Sequence, residues 1–482
     1  MITNVLRASM ENTNTTSVKV GELEFPPRKV WMKTYGCQMN YHDSERIMSH
    51  LSGLNFIKTD DQSEADLIIF NTCAVRDLAN QKFYSHLGET KKLKTNTEIN
   101  PETGLKKDVV VAAGGCIAQT EGKDLIQKYK QLDFAFGTDV VDNIGEMVYR
   151  AYAGERKFAV TSWDKSENYS IETKITHGSP MAFVNIIKGC DKFCSYCIVP
   201  FTRGREKSRR LDEVVNDVKK LVEHSGVQEV MLLGQNVNSF GKDNGESLAK
   251  LIMELDKIEG LKRLRYTTSH PYDVTDDLVE AHRNAKKLAN HLHLPVQSGS
   301  NTVLQRMLRE YTIEHYLNLI TKMRQANPEM IISTDIIAGF PNETEEEHQA
   351  TLDLLEKAQF DFIYAYAFSA RKGTKAARMQ DALSDDTRGR RLREIQEKQL
   401  KIQANIRSQM VGKTYRILVE EKGVNKGILK WTGRTSCYRL VHFESEFEGK
   451  DYQWHWVDVE ITSATALSTQ GKVIKDWGRN LP

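Results

Sequence analysis

The sequence lacks any long apolar run and therefore predicts no membrane helix. No stretch of its 482 residues approaches the roughly 18 consecutive apolar residues that a membrane-spanning helix needs. The first twenty residues also lack the apolar centre of a secretory signal, and polar residues occupy positions 12–16. We therefore expect a cytoplasmic protein with no membrane partner and a loose N-terminal extension at residues 1–28.

The chain also lacks an excess of charge of either sign. It has 67 Lys and Arg against 65 Asp and Glu, a formal net charge of +2. This balance excludes a general polyanion binder, so any nucleic-acid surface has to be local. Basic residues do concentrate in residues 200–210 and 371–407. A solvated helix face is the alternative interpretation of both segments.

Cysteine is present in a number that does not suit a disulfide framework. There are seven cysteines, and an odd count leaves at least one thiol unpaired. In a cytoplasmic protein, cysteines are more often metal ligands or catalytic groups than disulfide partners. The length of the chain predicts two to four domains.

The first half of the chain has the alternating pattern of a parallel α/β domain. Apolar strand patterns occupy residues 30–35, 65–71, 108–114 and 134–137. Helical patterns lie between and after them, near residues 43–54, 76–93, 119–130 and 142–152. We expect a parallel sheet covered by helices on both faces over residues 29–155, followed by a linker at residues 156–180.

The next 190 residues repeat the alternation in longer units. Six strand patterns begin at residues 182, 228, 263, 290, 330 and 362. Six units predict an open (β/α)6 relative of the TIM barrel, with its chemistry at the carboxyl ends of the strands. A charged helix at residues 384–410 completes this domain, 181–410. Short strands with glycine turns then predict a small all-β domain at residues 411–474 and a tail at 475–482.

Three cysteines, Cys190, Cys194 and Cys197, follow the first strand of this domain with the spacing CxxxCxxC. Three thiolates can bind three irons of a [4Fe–4S] cluster and leave the fourth iron open. The alternative is structural zinc, which requires four ligands, and no fourth Cys or His follows at finger spacing. The pattern resembles the radical SAM superfamily, whose shared domain corresponds to residues 181–370 and whose members bind S-adenosylmethionine at the open iron.

Polar segments at later strand ends are candidates for contacts with S-adenosylmethionine or substrate. The residues that we single out are Gly234, Gln235, Asn236, Gln297 and Asp335. An ordinary strand-to-helix turn is the alternative for each. The segment TDIIAGFPNET resembles a superfamily pattern but has Asp335 and Asn342 at its two ends, where the pattern has other residues.

A second set of cysteines, Cys37, Cys73 and Cys116, has no local spacing motif, but each member follows a predicted strand. The carboxyl ends of parallel strands line one edge of a sheet, so the three thiols are expected to converge. Glycines precede Cys37 and Cys116 and suit a close approach of the backbone to a bulky group. Three buried free cysteines are the alternative. Cys437 is expected to be an ordinary thiol.

The motifs together resemble one family. TYGCQMN, NTCAVRDLA, GGCIAQ, GCDKFCSYCIVPFTRGREKSR, LLGQN, LPVQSGS, TDIIAGFPNET and GRTSCYRLVHF occur in the order found in the methylthiotransferase family of radical SAM enzymes. The resemblance spans residues 30–470. It implies an N-terminal domain whose three cysteines bind an auxiliary [4Fe–4S] cluster, a radical SAM core and a C-terminal TRAM domain. Its cofactors are two [4Fe–4S] clusters and S-adenosylmethionine.

The signature segments favour the branch of the family that methylthiolates N6-dimethylallyladenosine next to the anticodon of tRNA. Sister branches act on threonylcarbamoyl-adenosine in tRNA or on a ribosomal-protein aspartate, and an RNA-binding iron–sulfur redox sensor is an alternative of another class. The implied partners are a tRNA anticodon stem-loop and an electron donor such as flavodoxin or ferredoxin, and we expect a monomer. Candidate RNA contacts are Arg203, Arg205, Trp431, Arg434 and Arg439. For those in the β domain, the alternative is a solvated face with core aromatics.

Overall fold

The computed structural model describes most of the chain as two compact units. The described residues are 17–20, 23–75, 77–95, 108–163, 169, 171, 173, 179–425, 428–445, 449–479 and 481. The N-terminal unit comprises Met1–Thr176, Lys188–Asp191 and Ile198–Lys207, and the C-terminal unit comprises His177–Ile187, Lys192–Cys197 and Ser208–Pro482. Much of the expected N-terminal extension and of the linker lies outside the described residues. Within the described residues, no helix is long and apolar enough to cross a membrane.

A six-stranded parallel sheet forms the centre of the N-terminal unit; the alternating pattern predicts the parallel arrangement and four of the six strands, but not β4 and β8. Its strand order is β4-β3-β5-β6-β7-β8, and a separate antiparallel pair, β1 and β2, precedes it. The strands are β1 (Val18–Val20), β2 (Leu23–Phe25), β3 (Arg28–Thr34), β4 (Phe56–Lys58), β5 (Leu67–Thr72), β6 (Val110–Gly115), β7 (Phe134–Phe136) and β8 (Phe158–Val160). The helices are α1 (Gln38–Ser52), α2 (Asp77–Thr95), α3 (Cys116–Lys128), α4 (Ile144–Tyr152) and α5 (Val199–Arg203).

Both faces of this sheet are buried, which explains why the first four residues of β5 are all apolar. Leu67 and Ile69 pack into one hydrophobic core, while Ile68 and Phe70 pack into the core on the opposite face. Alternate side chains of a strand point to opposite faces, so a sheet covered on both sides needs apolar residues at every position. The prediction of helices on both faces is thereby confirmed.

The C-terminal unit contains the six predicted strands as two three-stranded parallel sheets, ordered β13-β12-β9 and β14-β15-β16. A single parallel bridge, between Leu264 and Leu288, joins β13 to the segment before β14. The strands are β9 (Met181–Asn185), β10 (Ile187–Lys188), β11 (Lys207–Ser208), β12 (Glu229–Leu233), β13 (Arg263–Tyr266), β14 (His291–His293), β15 (Ile331–Ala338) and β16 (Phe362–Ala367). The helices are α6 (Leu211–Ser225), α7 (Leu248–Asp256), α8 (Asp276–Asn284), α9 (Asn301–Arg306), α10 (Ile313–Ala326), α11 (Glu345–Ala358) and α12 (Asp385–Ser408).

The last part of the chain is a closed five-stranded barrel, which confirms the expected small all-β domain. Its order is β17-β18-β19-β21-β20. The strands are β17 (Thr414–Asn425), β18 (Ile428–Thr435), β19 (Leu440–Glu444), β20 (Trp456–Ala464) and β21 (Thr469–Gly478). Strand β21 extends into residues that the sequence pattern assigns to a tail. Its side chains are mostly exposed or half-buried, so they lack the apolar alternation by which a strand is recognised in a sequence.

Buried ion pairs attach this barrel to the strands of the same unit. Glu229, the first residue of β12, accepts from Arg263 Nη1 at 3.0 Å and from Arg265 Nε at 2.6 Å. The same two guanidinium groups donate to barrel carbonyls, Arg263 to Arg434 at 3.1 Å and Arg265 to Thr435 at 2.6 Å. Burial opposes ionisation of Glu229, but the two arginines together hold its pKa below the usual value. Burial lowers the pKa of Arg263 to about 10.

We predict that Glu229→Gln destabilises the C-terminal unit by about 3–5 kcal/mol, because it leaves two buried guanidinium groups without their carboxylate. Urea unfolding at neutral pH measures the change. The folded-state pKa of Glu229 is lowered, so its contribution is present above its unfolded pKa. The difference between the two proteins should therefore shrink as the pH falls through the folded-state pKa. Asp276→Asn, which breaks the solvent-exposed pair with Lys322, is the control. Equal midpoints for the Glu229 variant and the wild type would contradict the prediction.

Candidate functional site

Three thiols of the N-terminal unit follow strands that end in register at one edge of its sheet. Thr34 of β3 pairs with Asn71 of β5, and Thr72 of β5 pairs with Gly115 of β6. Cys37, Cys73 and Cys116 follow these strand ends within three residues. We call these three cysteines the edge thiols. Cys73 and Cys116 are buried and Cys37 is half-buried, so the edge is shielded from solvent.

Two glycines allow the backbone to pack closely around the edge thiols. Gly36 has φ +115°, and a Cβ atom there would lie 2.5 Å from the Cβ atom of Cys73. Gly115 has φ +89°, and a Cβ atom there would lie 2.4 Å from the carbonyl oxygen of Thr72. Both positions therefore require glycine for the left-handed backbone and for space. The sequence predicts a close approach of the backbone at these glycines. In the structure, the loops that carry the thiols contact one another there.

The donor set of the edge thiols fits an iron–sulfur cluster. All seven cysteines are thiols. A four-iron cube binds each thiolate at a different corner, and three thiolates leave one corner open.

The three cysteines of the CxxxCxxC motif have well-defined local surroundings. Cys190 belongs to the N-terminal unit, where its backbone N–H donates to the carbonyl of Gly204 at 3.2 Å. Cys194 and Cys197 belong to the C-terminal unit, and the N–H of Cys197 donates to the carbonyl of Cys194 at 3.0 Å. Arg309 is buried with its Nη1 atom 3.5 Å from the sulfur of Cys194. The guanidinium thus places a hydrogen-bond donor beside this sulfur.

His270, in the Ser-His-Pro segment at residues 269–271, is a buried donor of the C-terminal unit. It is not among the five strand-end residues singled out from the sequence. Its Nδ1 atom accepts from the N–H of Tyr272 at 3.3 Å. Its Nε2 atom has no hydrogen-bond partner among the described residues. Burial and the charges of Arg309, Lys192 and Lys242 hold the pKa of His270 well below its usual value. The neutral imidazole therefore presents an unused N–H that suits a ligand acceptor.

The candidate contacts at strand ends divide into packing residues and accessible ones. A Cβ atom at Gly234 would lie 2.3 Å from the Ile187 side chain, so packing alone requires this glycine. Asn236 is buried and donates to Asp273 Oδ2 at 2.7 Å, and Gln235 beside it is half-buried. Gln297 is buried at φ +72°, and its backbone bonds to Asp335 and Ile337.

Asp335 is the one carboxylate among the five strand-end residues that the sequence singles out, and it is accessible. Its side chain remains about one-third exposed and stands 3.4 Å from the imidazole of His293. In the segment TDIIAGFPNET, which contains Asp335, Asn342 donates to the carbonyl of Gln380 at 2.8 Å and stabilises the turn. The next residue, Glu343, is buried and accepts from the N–H of Gly339 at 2.9 Å. Burial raises the pKa of Glu343, and no simple spacing in the sequence signals this role.

Comparisons with known proteins match both the N-terminal part and the central part of the chain. The Uncharacterized protein family UPF0004 matches residues 29–137, and the Radical SAM superfamily matches residues 184–355. The chain is 41% identical over 455 residues to the tRNA-2-methylthio-N(6)-dimethylallyladenosine synthase of Acetivibrio thermocellus, which covers 92% of this chain and 90% of that protein. It is 40% identical over 458 residues to the same enzyme of Carboxydothermus hydrogenoformans, with 93% and 99% covered.

The chain belongs to the tRNA-2-methylthio-N(6)-dimethylallyladenosine synthase family. The resemblance derived from the motifs is thereby confirmed, as is the expectation of an enzyme. The radical SAM match implies a [4Fe–4S] cluster and S-adenosylmethionine as cofactors. The radical S-adenosylmethionine methyltransferase TsrM of Kitasatospora setae has a similar fold, with a TM-score of 0.54 and 14% identity over 73% of this chain and 77% of that one.

The structure of this family member corrects two of the three RNA contacts that the sequence predicts in the barrel. Trp431 is 0% exposed and lies in the barrel core against Tyr452, so its ring cannot stack on a base. Arg439 is buried and its Nε atom donates to Asp361 at 2.9 Å. Arg434 is paired with Glu420 at 3.0 Å and remains partly exposed. The interpretation of these aromatics as barrel core, left open by the sequence, is the correct one for Trp431.

The basic segment after the cysteine motif also divides into one buried and one exposed arginine. Arg203 ends helix α5, is 7% exposed, and places its Nη1 atom 2.7 Å from Asp43 Oδ2. A side chain so buried cannot contact a phosphate, which corrects the expectation for Arg203. Arg205 has an exposed side chain and pairs with Asp191 at 2.6 Å. Of the two predicted contacts, only Arg205 can reach RNA from the surface.

We predict that Gly36→Ala prevents cluster assembly at the edge thiols, because the new methyl group would collide with Cys73 on a backbone of positive φ. The measurement is iron and sulfide per chain after anaerobic reconstitution, with about four irons lost. Gly88→Ala is the matched control, since a Cβ atom at that helical position meets nothing within 4 Å. It should keep full iron content and raise stability by about 0.5–1 kcal/mol. Full iron content in the Gly36 variant would show that the close packing is dispensable.

Proposed function

We propose that this protein converts N6-dimethylallyladenosine next to the anticodon of tRNA to its 2-methylthio derivative. The observation that carries the proposal is the convergence of the edge thiols at one sheet edge in a chain that also has the radical SAM motif. The curated relatives whose names state this activity match 92–93% of the chain. Methylthiolation has to replace an aromatic C–H that is not acidic, so general-base catalysis alone offers little.

The edge thiols would hold a second, auxiliary [4Fe–4S] cluster, and Cys190, Cys194 and Cys197 would hold the cluster that binds S-adenosylmethionine. When bound, these groups supply a carbon radical, a sulfur atom and a methyl group. The protein residues shield and orient them. Arg309 donates toward Cys194 and also to the carbonyl of Pro295 at 2.7 Å, which fixes the guanidinium beside the thiol. His270 offers its unused N–H to a ligand acceptor in the same unit.

The RNA side of the proposal rests on exposed cations and on the nature of the target base. An enzyme that modifies a base requires it out of the stack, and an anticodon loop provides such a base at low cost. Arg205 is exposed enough to contact phosphate, and Arg434 is partly exposed on the barrel. We further propose a cytoplasmic monomer that receives electrons from a flavodoxin or ferredoxin.

Two alternatives make different predictions for product analysis. A sister methylthiotransferase would modify threonylcarbamoyl-adenosine in tRNA or a ribosomal-protein aspartate. A redox sensor would form no 5′-deoxyadenosine with S-adenosylmethionine and reductant. Nucleoside analysis of tRNA incubated with the reconstituted protein, combined with an assay of 5′-deoxyadenosine, separates these functions. Absence of the 2-methylthio-dimethylallyl nucleoside, with 5′-deoxyadenosine still formed, would overturn the substrate assignment alone.

We predict that the two cysteine sets separate two activities. Replacing Cys190, Cys194 and Cys197 with Ala should leave about four irons per chain and abolish formation of 5′-deoxyadenosine. Replacing the edge thiols with Ala should preserve 5′-deoxyadenosine and stop methylthiolation. Cys437→Ala, which removes a buried thiol 3.1 Å from Thr435 Oγ1, is the control and should keep both clusters and both products. Methylthiolated tRNA from the edge-thiol variant would refute the auxiliary role.

We predict that Arg205→Gln weakens tRNA binding and reduces by about one the slope of log affinity against log salt, because one phosphate contact is lost. Binding titrations at several salt concentrations measure both quantities. Lys250→Gln, in an exposed pair with Glu246, is the control and should change neither. An unaltered slope for the Arg205 variant would place the phosphate contacts elsewhere. Deleting residues 411–482 is a poorer test, because it would also remove the barrel carbonyls that Arg263 and Arg265 use.

A further inference from the structure

Arg203 is a buried cation whose surroundings point to the edge thiols. It is the last residue of α5, a short helix contributed to the N-terminal unit by the segment after the cysteine motif. This helix packs against α3, the helix that begins at Cys116. The hydroxyl of Thr138 donates to the carbonyl of Thr202 at 2.6 Å and fixes the end of α5. The end of α5, where Arg203 lies, is therefore fixed by the fold.

Only part of the guanidinium is satisfied by protein. Its Nη1 atom stands 2.7 Å from Asp43 Oδ2, and Asp43 in turn lies 3.6 Å from Arg46. Its Nη2 atom is buried and finds no hydrogen-bond partner within the described part of the chain. An unsatisfied buried donor on a charged group is costly. A donor of this kind that is fixed by the surrounding fold is suited to an anion.

The charged groups around Arg203 indicate which kind of anion it can bind. Burial by itself disfavours the charged guanidinium, but Asp43, Cys116 and Cys37 together hold the pKa of Arg203 above its usual value. The geometry agrees, because Asp43 lies on α1, the helix that follows Cys37, and α5 packs against α3, the helix that begins at Cys116. RNA phosphate is excluded as the partner by the 7% exposure of the residue.

We propose that Arg203 is a positioning residue of the auxiliary site, which balances the charge of the edge thiolates and donates its Nη2–H to a small sulfur anion bound there. The anion is of the hydrosulfide or methanethiolate class. The inference rests on the proposed function, since it needs a cluster on the edge thiols. Groups around a metal site that do not themselves coordinate set the potential and ligand affinity of that site through charge and hydrogen bonds.

The test uses the full-length chain with Cys190, Cys194 and Cys197 replaced by Ala, so that only the auxiliary cluster is observed. Arg203→Gln should shift its midpoint potential to more negative values, because a buried positive charge that favours the reduced cluster is lost. It should also weaken binding of hydrosulfide and of methanethiolate, each titrated by electron paramagnetic resonance, by about 10–100-fold. Arg150→Gln, which removes a cation that contacts Glu155 and the Phe158 ring, should change neither quantity.

A second variant guards against a folding defect. Arg203→Gln leaves Asp43 buried without its partner, whereas Asp43→Asn combined with Arg203→Gln removes both charges and preserves a hydrogen bond. The double variant should melt near the wild-type temperature and still bind the sulfur anions more weakly. Arg203→Lys keeps the positive charge but loses the planar guanidinium with its several donors. It should retain the midpoint potential of the cluster and only part of the affinity for the sulfur anions.

The outcomes distinguish this inference from the function on which it rests. If the wild-type chain assembles both clusters and methylthiolates tRNA while Arg203→Gln keeps wild-type potential and anion affinity, the role of Arg203 is refuted and the function stands. If the edge thiols of the wild-type chain assemble no cluster, the proposed function itself fails. A double variant that recovers anion affinity together with stability would show that Arg203 is structural and would overturn the inference.

Discussion

The parallel register of β3, β5 and β6 is the constraint on which the candidate site depends. The pairs Thr34–Asn71 and Thr72–Gly115 bring three strand ends level, and each strand end is followed within three residues by a thiol. In an antiparallel sheet, neighbouring strands end at opposite edges, and the same residues would be separated. A register slip of one residue in β5 would turn Leu67 and Ile69 out of their core, so hydrophobic packing fixes the position of the thiols.

Buried charged side chains have a different role in each of the two units. In the C-terminal unit, Glu229, Arg263 and Arg265 satisfy one another and the barrel carbonyls, so the barrel is bound to the strands by polar contacts that tolerate no missing partner. In the N-terminal unit, Arg203 keeps one buried donor unsatisfied beside two thiols. The first arrangement is complete without a ligand. The second is complete only when an anion is present, which is the physical difference between a structural and a functional ion pair.

The sequence was sufficient to predict what depends on periodicity and on strand ends. The apolar run of β5 and the alternation of β9 to β16 predict the parallel sheets, and the glycines before Cys37 and Cys116 predict tight packing. What it could not predict is which face of the barrel a side chain occupies. The sequence around Trp431 is compatible with a ring that stacks on a base and with a ring in the barrel core, because an aromatic residue next to a lysine occurs in both settings. Strand β21 is missing from the prediction because only one of its ten residues is buried, so its sequence shows no apolar alternation.

The basic segment after Cys197 shows why charge counting cannot assign partners. Arg203 and Arg205 are two residues apart and chemically identical, yet one is buried against Asp43 and the other is exposed against Asp191. The five-residue helix α5 separates them: Arg203 is its last residue, and Gly204 follows with φ +77°. That left-handed residue turns the chain before Arg205, so the glycine decides which arginine serves a sulfur site and which can serve RNA.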